Sequence, residues 1–160
     1  MIKIFSTLFL SVLAWFGFLA DKPTPPDWNR FTKVVLAEGL DEPMEMAFLP
    51  GNKIIVVERK GGVKIINEKT KDVLDAGFIT VNTKYTNKQG QVREAEEGLM
   101  GVSLDPKFAT NRWVYLYYAH PKESKHVLSR FTLKNDTLDM ASEKHVLDVK
   151  TQREECCHTG

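Results

Sequence analysis

From Phe31 onward the apolar residues recur at strand period, and they do so in two successive groups. Neighbours in an extended chain point to opposite faces, so alternation, or a short β-branched run between turn residues, marks a strand. The first group opens with KVVLAE (Lys33 to Glu38), a turn over Gly39 to Pro43, and MEMAFLP (Met44 to Pro50). A Pro-Gly-Asn turn then leads to KIIVVER (Lys53 to Arg59), and a Lys60-Gly61-Gly62 hairpin leads to VKIIN (Val63 to Asn67). Thr80 to Glu97 is polar, has no period and reads as a long loop. The second group is GLMGVSLD (Gly98 to Asp105), a PKFATN turn, RWVYLYYAH (Arg112 to His120), HVLSRFTL (His126 to Leu133) and EKHVLDVK (Glu143 to Lys150). Lys134 to Glu143 leaves room for a helix, but no segment carries a helical stripe. Each group runs from a strand ending in a proline turn, through a β-branched or aromatic strand, to a hairpin partner.

Repeated four-stranded units of this kind predict an all-β chain, a β-propeller in which each blade buries its faces on its neighbours. Two blades do not close a ring. The expectation is therefore that the chain holds about the first two blades and that further blades follow Gly160.

The first twenty residues differ from the rest. Lys3 precedes an apolar run, Ile4 to Ala20, broken only by Ser6, Thr7, Ser11 and Gly17. A cationic start before such a run reads as a signal peptide or an N-terminal anchor (residues 1–20), which predicts export to the periplasm or beyond and an oxidising compartment. Residues 21–30 hold the proline-rich spacer KPTPPDW, and residues 31–160 are the partial propeller. With a net charge of +1 and no long basic run, the sequence has no electrostatic footprint for nucleic acid. Any membrane contact is expected only through the N-terminal segment.

The stretch Glu96 to Tyr118, EEGLMGVSLDPKFATNRWVYLYY, resembles the glucose/sorbosone dehydrogenase family, the soluble quinoprotein sugar dehydrogenases. That family carries an acid or amide, Gly-Leu-Leu-Gly, Asp-Pro-x-Phe and Tyr-x-Tyr in this order. LDEPMEMAFLPGNKIIVVERKGGVKII (Leu40 to Ile66) is similar to its first blade, VLSRFTL (Val127 to Leu133) to its Ser-Arg-Phe strand, and HTG (His158 to Gly160) to the start of its His-x-Gly-Gly motif. The resemblance implies a propeller that is six-bladed when complete. It also implies oxidation of a sugar or polyol hydroxyl with pyrroloquinoline quinone (PQQ) and calcium, most of whose ligands would lie outside this chain. A cytochrome is the kind of electron acceptor such an enzyme uses.

On this resemblance His158 is the general base and Glu96 its partner. Imidazole suits the first task because its unperturbed pKa, about 6.5, lies near working pH. The family often has an aspartate directly before the histidine, where this chain has Cys157.

Cys156 and Cys157, the only cysteines, fit neither the c-type haem spacing nor a zinc site. A vicinal disulfide beside the quinone, by analogy with quinoprotein alcohol dehydrogenases, stands next to two reduced or separately paired thiols. A Cys-His hydrolase is disfavoured, because adjacent strand residues point apart and no oxyanion donor is evident. His120, His126 and His145 read as structural, Glu97 as a solvated loop charge, and Arg153, Glu154 and Glu155 as a charged loop face. Trp113, Tyr115, Tyr117 and Phe131 read as blade packing. The non-catalytic alternative is a propeller that binds glycan or protein.

Overall fold

The computed structural model describes residues 25–27 and 30–156. The N-terminal segment, and Cys157 and His158 with the two residues after them, lie outside the described residues. The chain divides into two units, Met1–Val34 and Val35–Gly160. The described part of the first has no regular element.

The second unit is built of antiparallel strands. β1 (Pro43–Leu49), β2 (Lys53–Glu58), β3 (Gly62–Asn67) and β4 (Val73–Phe78) pair in chain order as one four-stranded sheet. A hairpin of β5 (Lys84–Thr86) and β6 (Val92–Glu94) follows. β7 (Leu99–Leu104), the single helical turn α1 (Phe108–Asn111), β8 (Trp113–Ala119), β9 (Lys125–Lys134) and β10 (Thr137–Lys150) complete it, with β7 to β10 forming the second four-stranded sheet. These are two propeller blades, each a meander of four.

Cross-strand register explains the burial. Ile55 pairs with Ile65 and Val57 with Val63, so these four share one face of the first blade. In the second blade Val114 pairs with Phe131, Leu116 with Ser129 and Tyr118 with Val127. The two faces meet in one core with Leu99, Val102 and Leu133. Full burial of such a side chain contributes about 1.5–3 kcal/mol. The seam therefore outweighs the exposed ion pairs around it, worth about 0–1 kcal/mol each.

Four expectations need correction. Lys33–Glu38 joins no ladder among the described residues; instead Leu36 and Ala37, with Leu40, pack flat on the Ile54, Val56 and Ile66 face of the first blade. The fourth strand of that blade is β4, which buries little beyond Ala76 and so carries almost no apolar signature. The stretch Thr80–Glu97 contains the β5–β6 hairpin, closed where Asn87 Oδ1 accepts the amides of Gln89 and Gln91. No helix occupies Lys134–Glu143: Asn135 and Asp136 both take positive φ, the signature of a two-residue hairpin turn, and β10 starts at Thr137.

The aromatics of β8 and β9 do pack, but on two faces. Phe131 is fully buried in the seam. Trp113, Tyr115 and Tyr117 line the opposite face with Arg130, whose guanidinium lies 3.9 Å from the centre of the Trp113 ring.

Candidate functional site

The segment between the blades is fixed by one arginine. Arg59, at the end of β2, donates to the carbonyl oxygens of Ala95 (2.9 Å) and Glu97 (3.3 Å) and to the Glu94 carboxylate (3.2 Å), and it is ion-paired with Glu42. Its own carbonyl accepts the Leu99 amide at 2.8 Å. Between these contacts lies Gly98 at φ +154°, where a methyl group would overlap the Arg59 carbonyl oxygen. The Glu-Arg and Glu-Gly-Leu pieces of the sequence pattern are thus two halves of one junction, and the junction holds Glu96.

Glu96 itself is exposed. Its neighbour Glu97 is not the solvated loop charge that the sequence suggested: it is 1% exposed. Its Oε2 accepts Nε of Arg153 at 2.8 Å and Nδ2 of Asn82 at 3.0 Å. Its Oε1 lies 3.8 Å from Nε2 of His126. Nor is Arg153 part of a loose charged face, since its Nη2 also donates to the His120 carbonyl at 2.7 Å. Its carbonyl in turn accepts the Thr86 amide at 3.2 Å. Carboxylate and guanidinium at these depths are tolerated because each is paired and hydrogen-bonded.

His126 is fully buried, with Nδ1 3.1 Å from the Tyr117 hydroxyl and the two rings edge to face. Its Nε2 has no hydrogen-bond partner. Burial holds its pKa below the ordinary imidazole value; Glu97 pulls it up and Arg153 adds to the depression. The ring is neutral at neutral pH. Strand β9 supplies this histidine because Ala119 and His126 pair across the β8–β9 hairpin, whose far side ends at His120.

Beyond Arg153 the chain turns. Gln152 Oε1 accepts the amides of Glu154 (2.7 Å) and Glu155 (2.9 Å), and Glu155 pairs with Lys88 of the β5–β6 hairpin at 3.0 Å, which raises the lysine's pKa. Cys156 is exposed and held in a disulfide. Cys157 and His158 follow it in sequence, outside the described residues. Of the four candidate residues, Glu96 thus sits on one side of the Glu97–Arg153 contact and Cys156 on the other. The partners sequence reasoning missed are Glu97, Arg153, Asn82 and Arg59. Arg59 stands in the Glu-Arg piece of the pattern, Glu97 beside a motif glycine and Arg153 a few residues before a motif histidine, while Asn82 carries no sequence signal.

A second polar cluster lies along β8–β10. The Tyr118 hydroxyl and Ser129 Oγ both donate to Glu143 Oε1 at 2.8 Å, and burial pushes the tyrosine up to about 12. It borders a cavity of about 620 Å³ that also touches His120, Lys125 and His145. Neither described candidate residue, Glu96 or Cys156, lines it.

The Asp-Pro-x-Phe piece is structural. Asp105 accepts the Lys107 amide, Asn111 Nδ2 (both 2.8 Å) and the Tyr115 hydroxyl (3.0 Å), while Phe108 is buried in the seam. Those hydrogen bonds, Asn111 first, lower the Asp105 pKa.

Among the described residues no group of three or more His, Cys, Asp or Glu is placed to hold a metal ion. No helix among them is long and apolar enough to cross a membrane.

A family model described as Glucose / Sorbosone dehydrogenase matches residues 40–160. A Synechocystis protein described as uncharacterized protein slr1608 is 36% identical over 91 residues, 54% of this chain and 21% of that protein. Among solved structures, the PQQ-bound aldose sugar dehydrogenase of Streptomyces coelicolor aligns with TM-score 0.55 and 23% identity, over 71% of this chain and 32% of that one. The apo form of the soluble aldose sugar dehydrogenase of Escherichia coli aligns with TM-score 0.58 and 22% identity, over 76% and 34%. A glucose dehydrogenase aligns with TM-score 0.55 and 26% identity, over 73% and 34%. The chain spans about a fifth of that curated relative and about a third of these solved chains. At such identities the first two likenesses are of fold, and the fold is that of the two blades described above. The family model covers well over half of the sequence, so the chain belongs to the glucose/sorbosone dehydrogenase family.

Proposed function

We propose that this chain is the N-terminal part of an exported dehydrogenase that oxidises a sugar or polyol hydroxyl. One observation carries the reading beyond family membership. The 2.8 Å contact from Arg153 to Glu97 ties the segment that continues to Cys156, and in sequence to His158, onto the loop that carries Glu96. The contact joins residues 56 positions apart in sequence, Glu97 beside Glu96 and Arg153 before Cys156.

In the proposed chemistry His158 accepts the proton of the substrate hydroxyl, and Glu96 orients the imidazole or binds a neighbouring hydroxyl. A quinone, when bound, supplies the acceptor for the hydride that leaves the same carbon. The described residues include no cluster fit to hold calcium, so no step is assigned to that ion. The Cys156 disulfide stands at the edge of the same segment, where it would border the quinone.

The test is to titrate the complete apo-protein with PQQ and calcium and to follow sugar-dependent dye reduction. Saturable, quinone-dependent turnover that His158→Ala abolishes while quinone binding persists is the expected result. A folded propeller that binds no quinone would replace the enzyme with a glycan- or protein-binding module.

A further inference from the structure

We infer that Arg153 is a positioning residue, a three-point clamp that sets the Cys156 segment against the Glu96 loop; the catalytic part of this inference rests on the function proposed above. The clamp is visible in the partners. The guanidinium reaches Glu97 through Nε and the His120 carbonyl through Nη2, and the backbone carbonyl takes the Thr86 amide. These partners come from three separate places: the loop before β7, the end of β8, and β5. No other side chain after β10 touches all of them among the described contacts.

Guanidinium is the right chemistry for this. It is planar, permanently charged and has five donors in a fixed fork, so one side chain can satisfy a carboxylate and a carbonyl at once. A lysine is a point charge on a flexible stem and would serve Glu97 or His120, but not both in fixed geometry. The other end of the clamp is equally constrained. Glu97 is 1% exposed and is shared by Arg153 and Asn82, so the carboxylate cannot swing out without leaving a buried cation behind. Arg59 fixes the same loop from the other blade through the Ala95 and Glu97 carbonyls. The backbone around Glu96 is therefore held between two arginines, Arg59 after β2 and Arg153 after β10. The segment leading to Cys156 is held by one of them, and among the described residues its other ion pair is the exposed Lys88–Glu155 contact. Loss of Arg153 should release the Cys156 segment and leave the Glu96 loop in place.

The experiment is Arg153→Met in the complete protein, read by hydrogen exchange of the peptides spanning 94–104 and 151–160 alongside steady-state kinetics. Exchange in 151–160 is expected to rise about tenfold or more, with 94–104 changed far less. Turnover is expected to fall about 10- to 100-fold in kcat, with KM and quinone affinity altered less than about threefold, because the loss is of geometry. Arg153→Lys should recover part of the kcat and little of the exchange protection. Unchanged exchange in 151–160 overturns the clamp; faster exchange with full kcat overturns its catalytic role. Should the wild-type protein reduce no dye with any sugar and quinone, the proposed function fails, and the exchange result alone then keeps or overturns the clamp. Should Arg153→Met not fold, Arg153→Lys decides by the same two readouts.

Discussion

The two blades share a meander topology and a common seam, yet they bury different things. The first is aliphatic: Ile55, Val57, Val63 and Ile65 fill its seam face, and Glu58 is its one buried charge. That carboxylate serves a local purpose, accepting the Asp41 amide at 2.8 Å. The second blade buries His126 and Ser129 within its strands and Glu97 at its entrance. Glu97 joins the loop before β7 to the chain that leaves β10 through Arg153, His126 stands beside it on Tyr117, and Ser129 ties β9 to Glu143 of β10. Buried polar groups are costly unless satisfied, so a blade that keeps them has a reason other than packing. The contrast separates a blade packed on aliphatic side chains from one that also holds a buried polar network.

The largest expected effect probes the seam that both blades need. Gly98→Ala places a methyl group on the Arg59 carbonyl oxygen in a backbone conformation, φ +154°, that only glycine adopts freely. The backbone has to shift on both sides of the junction, at a cost of roughly 3 kcal/mol or more. Gly51→Ala is the control: its φ is +83°, but nothing lies within 4 Å of the new methyl, so only the conformational cost of about 1 kcal/mol remains. Urea midpoints of the two variants measure the difference. Equal losses would mean that the junction relaxes as easily as a surface turn.

A middle-sized effect tests the contrast between the buried carboxylates. Glu97→Leu leaves the half-sheltered Arg153 guanidinium with the His120 carbonyl but no carboxylate, and the expected loss is about 2–3 kcal/mol. Glu58→Leu orphans one backbone amide, for about 1–3 kcal/mol. Only the Glu97 variant is expected to raise hydrogen exchange in residues 151–160. If both variants do so, the second blade is no more specialised than the first.

How much of this was legible in the sequence follows from the same contrast. The strands that fill the seam have apolar periodicity because one of their faces is dry, and KIIVVE, GVKII, WVYLYYA and HVLSRFTL could be read directly. β4 could not, because an outer strand that buries only Ala76 has no such period. Lys33–Glu38 misled for the opposite reason: an apolar stretch that lies flat on a sheet face looks the same as one inside a ladder. The Asn135-Asp136 turn is legible from its residue types, both of which tolerate positive φ. At the site, Glu96 and His158 came from a resemblance. Glu97 and Arg153 are ordinary charges in sequence, and a partner 56 residues away made them buried ones.

The smallest effect is a pH dependence. His126 is faced by Glu97 from the loop before β7, by Arg153 from the chain after β10, and by Tyr117 of β8. Its native pKa lies below the ordinary value of 6.5, chiefly through burial. Between those two values the unfolded chain binds more protons than the native one, so stability rises with pH across that window. The contribution is complete above 6.5, is lost as pH falls toward the native value, and does not change further below it. His126→Gln keeps a polar group near Tyr117 and removes the titration, so its urea midpoint should fall less than the wild-type midpoint between pH 7.5 and pH 5. The other acid-sensitive groups are common to both proteins and cancel in that difference. Parallel pH profiles would show that the imidazole takes up its proton equally well in the native state. The 3.8 Å approach to Glu97 would then be close enough to pair with it, and the polar interior of the second blade would not be the acid-sensitive part of the chain.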